Sequence, residues 1–197
     1  MTFVLFHGSF NSSEQITHYW LPKLEKLGEK IIFPKFPIDT WDEITENEHT
    51  LKQNLTSWLN TFEMYLDEIK KEGKLVFVGH STGPLFILHV LHKYKLQLHR
   101  AVFVSPFINP LKKPAWQVKE VNKSFYYSKF DFTKLQNLCS SSYSLYGTDD
   151  PYVEVKNILD FANKMKSKEI PVKDGGHLNN EETSSIVVDY CKFAAGI

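Results

Sequence analysis

Two kinds of apolar pattern alternate along this chain, and that alternation limits the fold more than any other feature. Short runs rich in Val, Ile and Phe occur at 3–6 (FVLF), 31–33 (IIF), 75–78 (LVFV) and 101–104 (AVFV), with weaker ones at 143–146 (YSLY) and 169–172 (EIPV). The stretches between them repeat with helical period. Residues 51–69 are the clearest, with Leu51, Leu55, Trp58, Leu59, Phe62, Tyr65, Leu66 and Ile69 on one stripe. Thr45 and Glu48 have the spacing of a capping box upstream of that stripe, and Gly73 ends it. Further helices are expected at about 14–27, 83–94, 153–166 and 181–194. Strand and helix in alternation, with strands apolar on both faces, predict a parallel sheet covered on both sides. No linker, repeat or low-complexity segment interrupts the 197 residues, so the expectation is a single α/β domain spanning 1–197 with about six parallel strands.

Composition narrows the function classes. Lys+Arg and Asp+Glu are equal at 23 each, so the chain as a whole carries no electrostatic footprint for nucleic acid or an anionic membrane. No apolar run exceeds four residues, far short of the roughly 20 that span a bilayer. Residues 1–6, Met-Thr-Phe-Val-Leu-Phe, lack the basic segment of a signal peptide, and two cysteines, Cys139 and Cys191, make no disulfide framework. A cytoplasmic protein acting on a small molecule is the expectation.

The sharpest chemical signal is Gly79-His80-Ser81-Thr82-Gly83, between the apolar run ending at Val78 and the apolar helix beginning near Leu85. A serine on a tight strand-to-helix turn is lifted above the sheet, and only glycine leaves room where the residues two before and two after it approach. The helix start supplies free N–H groups beside the hydroxyl, and Pro84 is tolerated because first-turn amides have no intrahelical acceptor. The bland alternative is a glycine-rich turn with Ser81 as a helix cap.

A serine hydroxyl needs a base, and the base needs an orienting acid. Asp149 and Asp150 follow the fifth apolar run in Gly147-Thr148-Asp149-Asp150-Pro151, and composition does not separate them. His177 follows the sixth in Lys173-Asp174-Gly175-Gly176-His177. An oxyanion would need amide donors. Thr82, next after the serine, is one; the other comes from the loop leaving the first strand, with Ser9 chosen by its position after His7-Gly8 and Phe10 the alternative. His89 and His92 are three apart, but no acid or thiol nearby completes a ligand set, so neither metal nor cofactor is expected. Residues 106–138 are irregular, with prolines at 106, 110 and 114 and seven aromatics between 107 and 132, Tyr127 and Phe130 among them. These cover the sheet edge or line a pocket. Phe107, Trp116, Phe125 and Tyr126 are the candidates for the second role.

With these motifs in order, the sequence resembles the small serine hydrolases typified by retinoblastoma-binding protein nine and the bacterial YdeN proteins, within the α/β-hydrolase superfamily. The resemblance covers nearly the whole chain. It rests on His7-Gly8, Thr17-His18-Tyr19-Trp20-Leu21-Pro22, Gly79-His80-Ser81-Thr82-Gly83, Ser124-Phe125-Tyr126, Gly147-Thr148-Asp149-Asp150-Pro151-Tyr152 and Gly176-His177. The glycine-rich first loop of the eukaryotic members is replaced here by Ser9-Phe10-Asn11-Ser12-Ser13. The resemblance implies a triad of Ser81, Asp150 and His177, a compact fold without a large inserted cap, and strand order 2-1-3-4-5-6. It implies hydrolysis of a small ester, thioester or amide through an acyl-enzyme. The competing readings are a non-catalytic binding protein on the same fold, or an acyltransferase using the same triad.

Overall fold

The computed structural model describes residues 1–44, 51–126 and 129–197. Six strands form one parallel sheet: β1 (Thr2–Phe6), β2 (Lys30–Ile32), β3 (Leu75–His80), β4 (Arg100–Val104), β5 (Ser142–Gly147) and β6 (Lys168–Val172). Their spatial order is β2-β1-β3-β4-β5-β6, as expected. The central strands are apolar throughout because both faces are covered. On one face Val4, Phe6, Phe77 and Phe103 meet Trp58, Phe62, Phe86 and Phe161 from the helices. On the other, Phe3, Leu5, Val76, Val78, Val102 and Leu145 meet Trp20, Leu24, Val187 and Cys191. Pro171 sits in β6, an edge strand, where a missing N–H is tolerated.

Eight α-helices are present among the described residues: α1 (Ser12–Gln15), α2 (Leu21–Glu25), α3 (Leu55–Lys70), α4 (Thr82–Tyr94), α5 (Trp116–Asn122), α6 (Phe132–Asn137), α7 (Val155–Met165) and α8 (Glu181–Ala195). Two depart from expectation. The first predicted helix is split by a π-helical turn at Ile16–Trp20, with the Leu21 N–H reaching back five residues to the Ile16 carbonyl. Pro22 explains the widening: it brings no N–H to the His18 carbonyl and its ring crowds that oxygen. The second is α3, which begins at Leu55 rather than residue 51. Asp39 takes the N–H groups of Lys52 and Gln53 on its two carboxylate oxygens, at 3.1 and 2.9 Å, holding that stretch as a loop. Asn54 then caps the helix, accepting from the Ser57 N–H at 2.9 Å. The expected Thr45–Glu48 capping box and Tyr127 lie outside the described residues. Among its described residues the irregular segment after β4 holds two short helices, α5 and α6, and a 3-10 turn at Lys123–Phe125.

Candidate active site

The loops leaving the carboxyl ends of β1, β3, β5 and β6 converge above the sheet, where parallel α/β sheets place their ligand sites. The turn after β3 carries Ser81, with φ 59° and ψ −107°, a conformation most side chains avoid. Glycine makes that turn possible: a Cβ on Gly83 would lie 2.3 Å from the Phe6 carbonyl oxygen. Ser81 is anchored by its own N–H, which donates to the Val104 carbonyl at 2.8 Å. Thr82 is the first residue of α4, so its N–H has no acceptor within the helix.

The loops after β5 and β6 meet backbone to backbone. A Cβ on Gly147 would lie 2.1 Å from the Gly176 carbonyl oxygen, so only glycine permits the approach. Asp149 fastens the contact, its carboxylate accepting from the Gly176 N–H at 2.8 Å. Asp150 points inward instead and is buried. One of its carboxylate oxygens is 2.8 Å from His177 Nδ1, and the other accepts from the N–H groups of Tyr152 and Val153, both at 2.9 Å. Burial pushes the Asp150 carboxyl upward, but the hydrogen bond and charge of His177 and the two amides outweigh it and hold the group below its ordinary value. An ionised carboxylate only accepts, so the Asp150 bond takes a proton carried on His177 Nδ1.

A second histidine holds the first. His80 is wholly buried, and its Nε2–H donates to the His177 carbonyl at 2.9 Å. Its Nδ1 must then accept from the Ser12 hydroxyl at 2.8 Å, and Ser12 in turn accepts from the Gly8 N–H at 2.8 Å. Burial, followed by the proximity of His177, lowers the His80 pKa to about 3, so it stays neutral.

Ser81 and His177 border one cavity of about 300 Å³, together with Ser9, Phe10, Asn11, Ser12, Gln15, Trp41, His80, Leu111, Val118, Tyr152 and Asn179. Among the described residues no Lys, Arg, Asp or Glu lines it.

A serine-hydrolase family model matches residues 33–185, which include Ser81, Asp150 and His177. The chain belongs to the serine hydrolase family. It is a hydrolase. This serine hydrolase is 24% identical over 173 residues to serine hydrolase RBBP9 of Rattus norvegicus, covering 87% of this chain and 84% of the relative. The ydeN gene product of B. subtilis superposes with a TM-score of 0.78 at 21% identity, over 100% of this chain and 99% of that one. Est1E from Butyrivibrio proteoclasticus, solved with ferulic acid bound, gives 0.69 at 13% identity, over 100% and 90%. At these identities the structural likeness is one of fold.

The four aromatics expected to line a pocket stand elsewhere. Phe107 and Phe125 are fully buried in the core, where Phe125 packs edge-on against Trp58. Tyr126 packs beside Phe107, and Trp116 is exposed on α5. The apolar wall of the cavity comes instead from Phe10, Trp41, Leu111, Val118 and Tyr152. Sequence reading missed these because they lie on four separate segments with no shared period. Tyr152, directly after Asp150-Pro151, had the nearest thing to a signal. His89, spaced like a metal pair with His92, is buried and donates from Nε2 to the Phe125 carbonyl at 2.9 Å.

Proposed function

We propose that this serine hydrolase cleaves a small, uncharged ester, thioester or amide through an acyl-enzyme formed on Ser81. The observation that carries the reading is the Asp150–His177 pair at 2.8 Å, opening on the same cavity as a serine on a strained strand-to-helix turn. Ser81 Oγ attacks the acyl carbonyl while His177 Nε2 takes its proton. The proton then passes to the leaving group as the tetrahedral intermediate collapses. Asp150 keeps the imidazole in the required tautomer and stabilises its cation. The backbone amides of Thr82 and Ser9 hold the oxyanion, Thr82 with the positive end of α4 behind it. Water repeats the sequence to release the acid.

An uncharged substrate is favoured because the cavity offers aromatic and aliphatic walls and neutral amides, and none of the described residues lining it is a Lys, Arg, Asp or Glu. Its size suits an acyl group far smaller than a lipid chain. Cys139 and Cys191 are unpaired thiols, which suits a reducing compartment and cytoplasmic residence.

The deciding experiment is fluorophosphonate labelling followed by peptide mass spectrometry. The adduct is expected on Ser81 and is lost in Ser81→Ala. Labelling that survives that substitution overturns the proposal.

A further inference from the structure

Behind the two proposed oxyanion amides lies a buried polar cluster that none of the roles above uses. Its centre is Asn122, the last residue of α5 and 1% exposed. Its Nδ2 donates to the Val118 carbonyl one turn earlier at 2.9 Å. That bond fixes which way the amide faces and turns Oδ1 toward the site. Three donors converge on that one oxygen: the Thr82 hydroxyl at 2.8 Å, the Gln53 amide at 3.0 Å and the Ser9 hydroxyl at 3.2 Å. The Gln53 amide also donates to Ser9 Oγ at 2.8 Å, and the Ser9 and Thr82 hydroxyls stand 3.1 Å apart. Gln53 is itself 1% exposed and held through its backbone N–H on Asp39.

The residues whose side chains meet here are the two whose main-chain amides are proposed above to hold the oxyanion. They come from different elements, Ser9 from the loop after β1 and Thr82 from the start of α4. Oxyanion donors stabilise charge only if their spacing is set before the charge appears. A common acceptor for both side chains sets that spacing. Resting on the acyl-enzyme reading above, we infer that Asn122 is a positioning residue for the oxyanion site. It locks the Ser9 and Thr82 amides at a fixed separation, with Gln53 bracing the Ser9 side. Through Val118, α5 also forms part of the cavity wall, so one helix sets both the acyl pocket and the oxyanion donors.

The test compares wild type with Asn122→Leu, which keeps volume and loses the acceptor, and Thr82→Val, which keeps the amide and loses the hydroxyl. Active sites are counted by fluorophosphonate titration, and turnover of a short p-nitrophenyl ester is measured beside inhibition by an alkylboronic acid, a tetrahedral mimic. The expected result is a fall in kcat of roughly 10- to 100-fold per active site in each single variant, with KM within about twofold. Boronate affinity falls by the same factor as kcat/KM, the pH profile is unmoved, and the double variant is no worse than the poorer single. A merely structural role would lower the melting temperature and the fraction of active sites without the parallel boronate loss. Wild-type kcat/KM or wild-type boronate affinity in Asn122→Leu overturns the inference, and if that variant does not fold, the same result in Thr82→Val does so. A wild-type enzyme that takes no fluorophosphonate on Ser81 overturns the acyl-enzyme reading instead.

Discussion

Asp149 and Asp150 are adjacent, identical in chemistry, and different in task. Asp150 faces His177 and collects two further amides, while Asp149 closes on the Gly176 N–H of the neighbouring loop. Asp150→Asn keeps the volume but loses the charge that holds the imidazole tautomer. Turnover should fall on the order of 10⁴-fold while the melting temperature moves little. Asp149→Asn retains an oxygen that can accept from Gly176 and should be nearly silent. Asp149→Ala loses that bond and should cost about 1 kcal/mol of stability with a modest loss of rate. Steady-state kinetics and thermal melts of the three variants test the assignment, and a dead Asp149→Asn enzyme would reverse it. The sequence pointed to the pair, and the family resemblance to Asp150. It did not show that Asp149 would reach Gly176, 27 residues on, rather than its own turn. That depends on how closely two loops approach, which no local pattern encodes.

Elements were legible where burial is periodic and obscure where a boundary is decided by a distant partner. The strands of the sheet centre and the stripe of α3 follow directly from apolar spacing. The late start of α3 does not, because the carboxylate that holds Lys52 and Gln53 out of the helix belongs to Asp39. The same limit hid the cavity walls, which are assembled from the loop after β1, Trp41, the segment around α5 and Tyr152. The aromatic-rich stretch after β4 drew attention by composition, yet Phe107 and Phe125 went to the core. The most exacting contact between elements is that of the β5 and β6 loops at Gly147. A methyl group there meets the Gly176 backbone at 2.1 Å, and backbone has no rotamer by which to yield. Gly147→Ala should therefore push the His177 loop away from Asp150. The expected outcome is a loss of about 1–3 kcal/mol in stability together with a fall in kcat. Wild-type turnover in that variant would show that the loops can separate without consequence.

Acid should unfold the molecule as a whole earlier than its carboxylates alone would require. His7, His80 and His89 are buried in the core and held neutral. Burial lowers His7 to about 4, His80 to about 3 and His89 to about 4. In the unfolded chain each would titrate near about 6.5. Between those values the unfolded state binds more protons, so stability present above about pH 6.5 is lost as pH falls toward about 4. Each group contributes up to about 1.4 kcal/mol per pH unit in that window. Calorimetric melts across it should show a steep decline in wild type, shallower in His89→Gln by the share of one histidine. A flat melting temperature between about pH 6.5 and 5 would contradict the burial of neutral imidazoles. Chain order carries a further consequence for this molecule. The nucleophilic turn follows the third strand, whereas the proposed base rides on the loop after the sixth. A ribosome therefore delivers the serine well before the histidine proposed to arm it, and a single sheet folds as a unit. On the proposed triad the growing polypeptide stays silent toward acyl compounds until β6 has docked, and hydrolysis begins only once the last strand is in place.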